Sequence, residues 1–173
     1  MFSDRLRRQL ATSGSSYSNA TWSTTGNTNI TLSNGNLTAT ANSGLDFSLV
    51  RSNLAINGSI YVEVAANSFS NAGQKSGVGL KLNTDAFLNQ PPVTGNGLYA
   101  FTYSTSLTKT YGISFNPTTG AYQIRENNTL VASGTLTPNV NWRICAWTGS
   151  YNIWGIATIN TGASPFTYTP VYL

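Results

Sequence analysis

The sequence predicts an all-β protein, an antiparallel β-sandwich behind a short N-terminal arm, and three observations carry that expectation. From Trp22 onward apolar and polar residues alternate in short runs, the period of a half-buried strand. Turn-forming Gly, Pro, Asn and Asp residues recur at intervals of about 8 to 12 residues, the spacing of hairpins. The composition is apolar yet almost uncharged: of 173 residues 40 % are hydrophobic and 12 % aromatic, 8 % are charged, and none is histidine. An ordinary soluble domain is about one quarter charged. Asn, Thr and Ser together supply 64 residues, so the solvent face is expected to consist of amides and hydroxyls. This aromatic content with low net charge argues against disorder, and the length suits one domain with its own core.

The first eleven residues differ from the rest. Phe2, Leu6 and Leu10 recur at a spacing of four, one stripe of a helix, and Arg5, Arg7 and Arg8 are three of the nine basic residues. So short a helix is marginal alone in water, and the stripe is expected to order only by docking on a partner. These six residues are the anchoring candidates. Residues 12–18, small and polar, read as a flexible linker. The expected division is therefore residues 1–16 as arm and linker and 17–173 as the sandwich.

Within the sandwich, Ile30 and Leu32 alternate up to Ser33-Asn34-Gly35, and Leu37, Ala39 and Ala41 alternate after it. Asn-Gly between alternating runs is a strong hairpin signal, because both residues tolerate positive φ. Ile60, Val62 and Val64 make an inward stripe, with Tyr61 and Glu63 facing the other way; Glu63 reads as an outward or rim residue. Tyr111, Ile113 and Phe115 lead into the turn residues 116–120. Tyr122 and Ile124 follow, and Glu126-Asn127-Asn128 turns the chain again. Residues 142–146 and 151–159 are apolar on both faces and read as inner strands. Alternation points Trp142 inward with Ile144 and Ala146, and Trp154 inward with Ile156.

Several function classes are excluded or disfavoured on composition. Without histidine no His-based triad can form, and one cysteine, Cys145, makes neither a disulfide nor a zinc site. Asp46, Glu63, Asp85 and Glu126 offer no recognisable pair for glycoside hydrolysis, and Asp85 beside Asn83 and Thr84 is one acid too few for calcium. No catalytic residue, cofactor or metal is expected. The net charge is +4, but half of it sits in the arm, and no basic stripe crosses the body as nucleic-acid binding would require. Basic residues at the start are not followed by an apolar run, and no stretch is long enough to span a membrane. The Asn-X-Ser/Thr triplets at Asn19, Asn29, Asn36, Asn57 and Asn127 read as chance products of an Asn- and Thr-rich chain.

Two places could bind. Residues 83–97, with Pro91-Pro92 and two glycines, break the strand pattern, and loops this long are usually functional; Asp85, Phe87, Asn89 and Asn96 are its candidates. Trp147 and Tyr151 flank Thr148-Gly149-Ser150 and are expected at an exposed hairpin tip, where flat rings suit sugar stacking.

The ordered pattern resembles one family. Residues 29–40, NITLSNGNLTAT, followed by Ile60-Tyr61-Val62-Glu63-Val64, resemble the opening hairpin and WYWEV-like strand of SPRY domains. Gly77-Val78-Gly79-Leu80 is similar to the family's next strand, and residues 111–134 to its strand, turn, strand, Asn turn and strand. Residues 165–170, PFTYTP, resemble its closing motif. The resemblance covers residues 22–170; Tyr61-Val62 stands where Trp-containing pairs are usual. It implies a SPRY-like sandwich of jelly-roll type, no catalytic residues, and ligand or protein binding through loops at one end. Asn/Thr/Gly-rich versions resemble domains of phage and virus fibres and capsid surfaces. The expected role is thus a non-enzymatic virion-surface subunit, a capsid decoration or fibre protein. Its arm binds other virion proteins, its sandwich faces the host, and the chain forms a homo-oligomer, a trimer on fibre precedent. The alternative is a carbohydrate-binding module reading cell-surface glycans, extracellular or at a cell surface.

Overall fold

The computed structural model describes residues 16–27, 29–42, 47–69, 75–82, 98–102, 108–149 and 154–173. Among the described residues eleven strands follow a 3-10 turn at Ser16–Asn19: β1 (Ile30–Ser33), β2 (Thr38–Ala41), β3 (Phe47–Arg51), β4 (Ile60–Phe69), β5 (Lys75–Leu82), β6 (Leu98–Thr102), β7 (Lys109–Phe115), β8 (Ala121–Glu126), β9 (Thr129–Thr135), β10 (Trp142–Gly149) and β11 (Trp154–Asn160). They form a seven-stranded sheet in the order β1-β2-β11-β4-β7-β8-β9 and a four-stranded sheet in the order β3-β10-β5-β6. Every described pairing is antiparallel. The expected antiparallel sandwich is therefore the fold. In each sheet one of the last two strands, β10 or β11, sits between strands laid down much earlier in the chain.

The turns follow from their side chains. Gly35 and Asn36 adopt φ of 62° and 65° at the centre of the turn that the Leu37 amide closes on the Asn34 carbonyl, and Asn127 and Asn128 take 46° and 70° between β8 and β9, the pattern of tight primed hairpins. Between β7 and β8 the Asn116 side chain accepts the amides of Thr118 and Thr119 at 2.9 and 3.2 Å. Gly120 closes that turn at φ +77°, where a Cβ would stand 2.0 Å from the Leu136 carbonyl oxygen. No other residue fits there.

The core lies between the sheets. From the large sheet it takes Ile60, Val62, Val64, Tyr111, Ile113, Phe115, Tyr122, Ile124, Ala157 and Ile159, and from the small one Val50, Val78, Leu80, Trp142, Ile144 and Ala146. Two aromatic residues outside any named strand complete it. Trp22 is fully buried. Its backbone amide donates to the Asn36 carbonyl at 2.8 Å, its indole Nε1 donates to the Ala157 carbonyl at 2.9 Å, and it bridges to Ser52. Tyr17 is buried in the same cluster.

Three expectations need correction. Ser16–Ser18 is not linker, because the 3-10 turn carries Tyr17 into the core. In β11 the inward residues are Gly155, Ala157 and Ile159, while Ile156 is 38 % exposed; the small residues face in because the sheets approach closely there. Glu63 does face away from the core, but it is no rim residue: it is 3 % exposed. The C-terminal segment crosses above it. The amides of Thr167 and Tyr168 donate to its carboxylate at 2.7 and 2.8 Å, the Tyr61 hydroxyl donates at 3.2 Å, and the Phe166 ring packs edge-on against Tyr61 at 4.9 Å.

Candidate functional site

The large sheet turns a nearly uncharged surface outward. Register aligns Thr31, Thr40, Ile156 and Asn67 in one row and Ser33, Thr38, Thr158, Ala65 and Thr110 in the next. The Thr38 and Thr158 hydroxyls lie 3.2 Å apart across the strands. Neither row holds a charged residue. Further along the same face stand Arg125, whose guanidinium donates to Gln123 at 3.1 Å, and the covered pair Tyr61 and Glu63. Burial pushes the Tyr61 phenol well above its usual range, and the neighbouring Glu63 carboxylate adds to the shift.

The two described carboxylates stand on opposite faces of this sheet. Glu63 pairs in register with Gly112 on the outer face. Glu126 pairs with Tyr111, a core residue. Glu126 forms an ion pair with Lys109 and accepts the Tyr111 hydroxyl at 3.3 Å. Two carboxylates separated by a sheet cannot flank one glycosidic bond. Among the described residues no group of three or more His, Cys, Asp or Glu could hold a metal ion, and no helix is long and apolar enough to cross a membrane.

The sandwich has a distinct second end. Where β2, β4 and β10 finish and β3, β5 and β11 begin, the inner walls are made of small residues. The large sheet contributes Ala39, Ala41, Ala66, Gly155 and Ala157; the small sheet contributes Val50 and Ala146, then Ser48, Thr148 and Ser76. Those last three occupy directly paired positions on β3, β10 and β5. They form a row of hydroxyls on an inward face, where alternation would place apolar side chains. Ser48 donates to the Asn29 carbonyl at 3.1 Å. Ser76 is 2 % exposed, and its hydroxyl has no hydrogen-bond partner. The walls nearly touch beside the row, since a Cβ on Gly155 would stand 2.4 Å from the Thr148 methyl. What remains is a half-open slot with room for about one water molecule, ≈ 20 Å³.

The residues singled out from the sequence distribute differently. Phe2, Arg5, Leu6, Arg7, Arg8 and Leu10 lie outside the described residues, as do Asp85, Phe87, Asn89, Asn96 and Tyr151. Trp147 is described and is not an exposed tip residue. It lies within β10, opposite Leu49 and Gly77 in register, and is 3 % exposed. β10 extends further than the turn-like Thr148-Gly149 suggested, and Trp147 is thereby drawn into the sheet. The two expected binding regions also leave the sheet at opposite ends. Residues 83–97 follow Leu82, which pairs with Trp142 at the start of β10, whereas residues 150–153 follow its end. Seven residue steps of antiparallel strand separate the two attachment points, about 24 Å. The hydroxyl row was not legible in the sequence, because Ser48, Ser76 and Thr148 meet only through sheet topology.

No protein-family model and no curated protein sequence matches the chain. Solved structures do. The SPRY domain of human HERC1 superposes with a TM-score of 0.61 over 83 % of this chain and 99 % of that one, at 10 % identity. A second human SPRY domain gives 0.57 over 82 % and 100 %, at 15 % identity. Stonustoxin gives 0.51 over 82 % of this chain and 28 % of that one, at 13 % identity. At such identities the likeness is one of architecture: this chain is an antiparallel β-sandwich with the SPRY fold.

Proposed function

We propose that this chain is a non-enzymatic subunit of a virion surface, a capsid-decoration or fibre protein whose first eleven residues grip the particle or sister chains. The observation that carries the reading is the nearly uncharged outer face of the large sheet, where two whole cross-strand rows hold no charge. Its Thr, Ser and Asn side chains hold water by hydrogen bonding without drawing in charged partners. The engagement of Glu63 and Glu126 on opposite faces supports a binding or structural role over hydrolysis. Light scattering of the full chain beside a 16–173 truncation, which keeps Tyr17 in place, tests the arm. The full chain is expected to run as a trimer and the truncation as a monomer; a full chain that stays monomeric at high concentration removes the reading.

A second reading is favoured by the hydroxyl row at the slot: a carbohydrate-binding module that contacts cell-surface glycans. Calorimetry with host polysaccharide separates the two. Heat on titration supports glycan binding, and none with any glycan leaves assembly alone.

A further inference from the structure

Charge is scarce in this chain, yet the outer face of the small sheet gathers it. Six Lys and Arg residues follow the arm in sequence, and Arg51, Lys81 and Arg143 are three of them. Val50, Leu80 and Ile144 turn into the core, so alternation turns Arg51, Lys81 and Arg143 to the opposite face. Arg143 lies directly across from Lys81 in the pairing of β10 with β5, which sets their Cβ atoms about 5 Å apart. Arg51 lies across from Cys145, one diagonal step from Arg143, about 7–8 Å. The Arg143 guanidinium reaches toward β3, where its Nη1 donates to the carbonyl of Ser52, the residue after Arg51, at 2.7 Å. All three side chains are half-buried, so water screens their charges incompletely. Like charges placed directly across a strand pair are destabilising, and outward positions on the large sheet show what the fold accepts instead, as in the Thr38–Thr158 pair. Burial, and then the charge of Arg143, hold the Arg51 guanidinium below its usual range. The two described carboxylates, in β4 and β8, belong to the other sheet.

We propose that Arg51, Arg143 and Lys81 form a binding site for a tetrahedral oxyanion, the sulfate or phosphate monoester group of a ligand. Guanidinium forks match the oxygen pairs of such a group, and an ammonium adds a third, less directional charge. Binding turns a repulsive cluster into an attractive one, so the cost carried by the empty site becomes affinity for the anion. Three cations make a point and not a track, which suits one compact group and not a nucleic-acid backbone. The site is separate from the hydroxylated face of the large sheet, which lies on the other side of the sandwich.

Thermal unfolding of the full chain in sodium sulfate, beside sodium chloride of equal ionic strength, tests this. The expected result is a midpoint that rises with sulfate and follows a single-site binding curve. Screening acts alike in both salts, and general exclusion of sulfate from protein surfaces is common to the parent and its variants. Arg143→Gln is expected to weaken the apparent sulfate affinity about ten-fold. Lys81→Gln, which keeps the Arg143–Ser52 bond, serves as the second variant and should weaken it less. Calorimetry with a sulfated disaccharide and with a sugar phosphate then identifies the carrier. The tighter of the two names it, and affinity no better than that of the free anion makes the anion itself the ligand; each of these keeps the site. No rise beyond that in chloride, or a rise unchanged in both variants, overturns the proposal. The first of these is also the result expected if a carboxylate from outside the described residues, Asp46 or Asp85, neutralises the cluster.

Discussion

The two ends of the same core are built by opposite rules. At the first end Phe115 and Trp142 meet edge to face, with ring centroids 6.2 Å apart, beside Ile60, Tyr122 and Leu136, and the Trp142 indole donates to the Thr137 carbonyl at 2.9 Å. At the second end alanine, glycine and three hydroxyls face each other. Both ends are covered by the same two sheets, yet one is packed with rings and the other leaves a slot. The contrast teaches where the stability of the fold is concentrated. Large buried side chains supply most of the free energy of a fold, so the aromatic end is able to carry a second end whose packing is sacrificed to shape.

That division can be broken in graded steps. The largest effect is expected from Trp142→Ala, which removes a core ring at the packed end and costs about 3–5 kcal/mol, read as a shift in denaturant midpoint. Next comes Glu63→Gln. The carboxylate holds two backbone amides of the C-terminal segment by charge-assisted bonds, and a carboxamide turns one acceptor into a donor facing a donor. A loss of about 1–3 kcal/mol is expected, with faster hydrogen exchange at Thr167 and Tyr168. Gly155→Ala at the second end should cost a similar or smaller amount, about 1–3 kcal/mol, because its methyl meets Thr148. Combining it with Thr148→Ser, which deletes the opposing methyl, should recover part of the loss in a double-mutant cycle.

The smallest effect is a pH dependence. Burial holds the Tyr17 and Tyr61 phenols well above the ordinary range, so above about pH 10 the unfolded chain sheds protons that the folded one keeps. Stability is then fully present below that pH and falls as pH rises through it. Denaturant midpoints measured from pH 9 to pH 11 should show the fall, and Tyr17→Phe should flatten it.

Much of this architecture was written in local signals. Asn34-Gly35 announced the first hairpin, Ile60, Val62 and Val64 announced the inward face of β4, and the doubly apolar runs around Ile144 and Ala157 announced strands with neighbours on both sides. What escaped depends on the other sheet. Periodicity assigns a strand its two faces but does not say how near the opposing wall comes, and so Ile156 was expected inside when Gly155 and Ala157 are. Tyr17 and Trp22 seal the core from irregular chain, which has no period to read. The hydroxyl row combines three residues that each look like a surface position in their own strand. It exists only because β10 brings Thr148 between Ser48 and Ser76.

The position of the last two strands also sets a timetable. Until residues 142–160 leave the ribosome, β3 and β5 have no strand between them, and β2 and β4 lack theirs. Neither sheet closes on a partial chain. Contacts that must wait for sequence partners more than a hundred residues away, such as Trp22 with Ala157, make folding slow, on the millisecond-to-second scale of high-contact-order β proteins. During that interval four strand edges stand open to other nascent chains. A protein made in many copies at once would assemble most cleanly where synthesis is spaced or the incomplete edges are shielded.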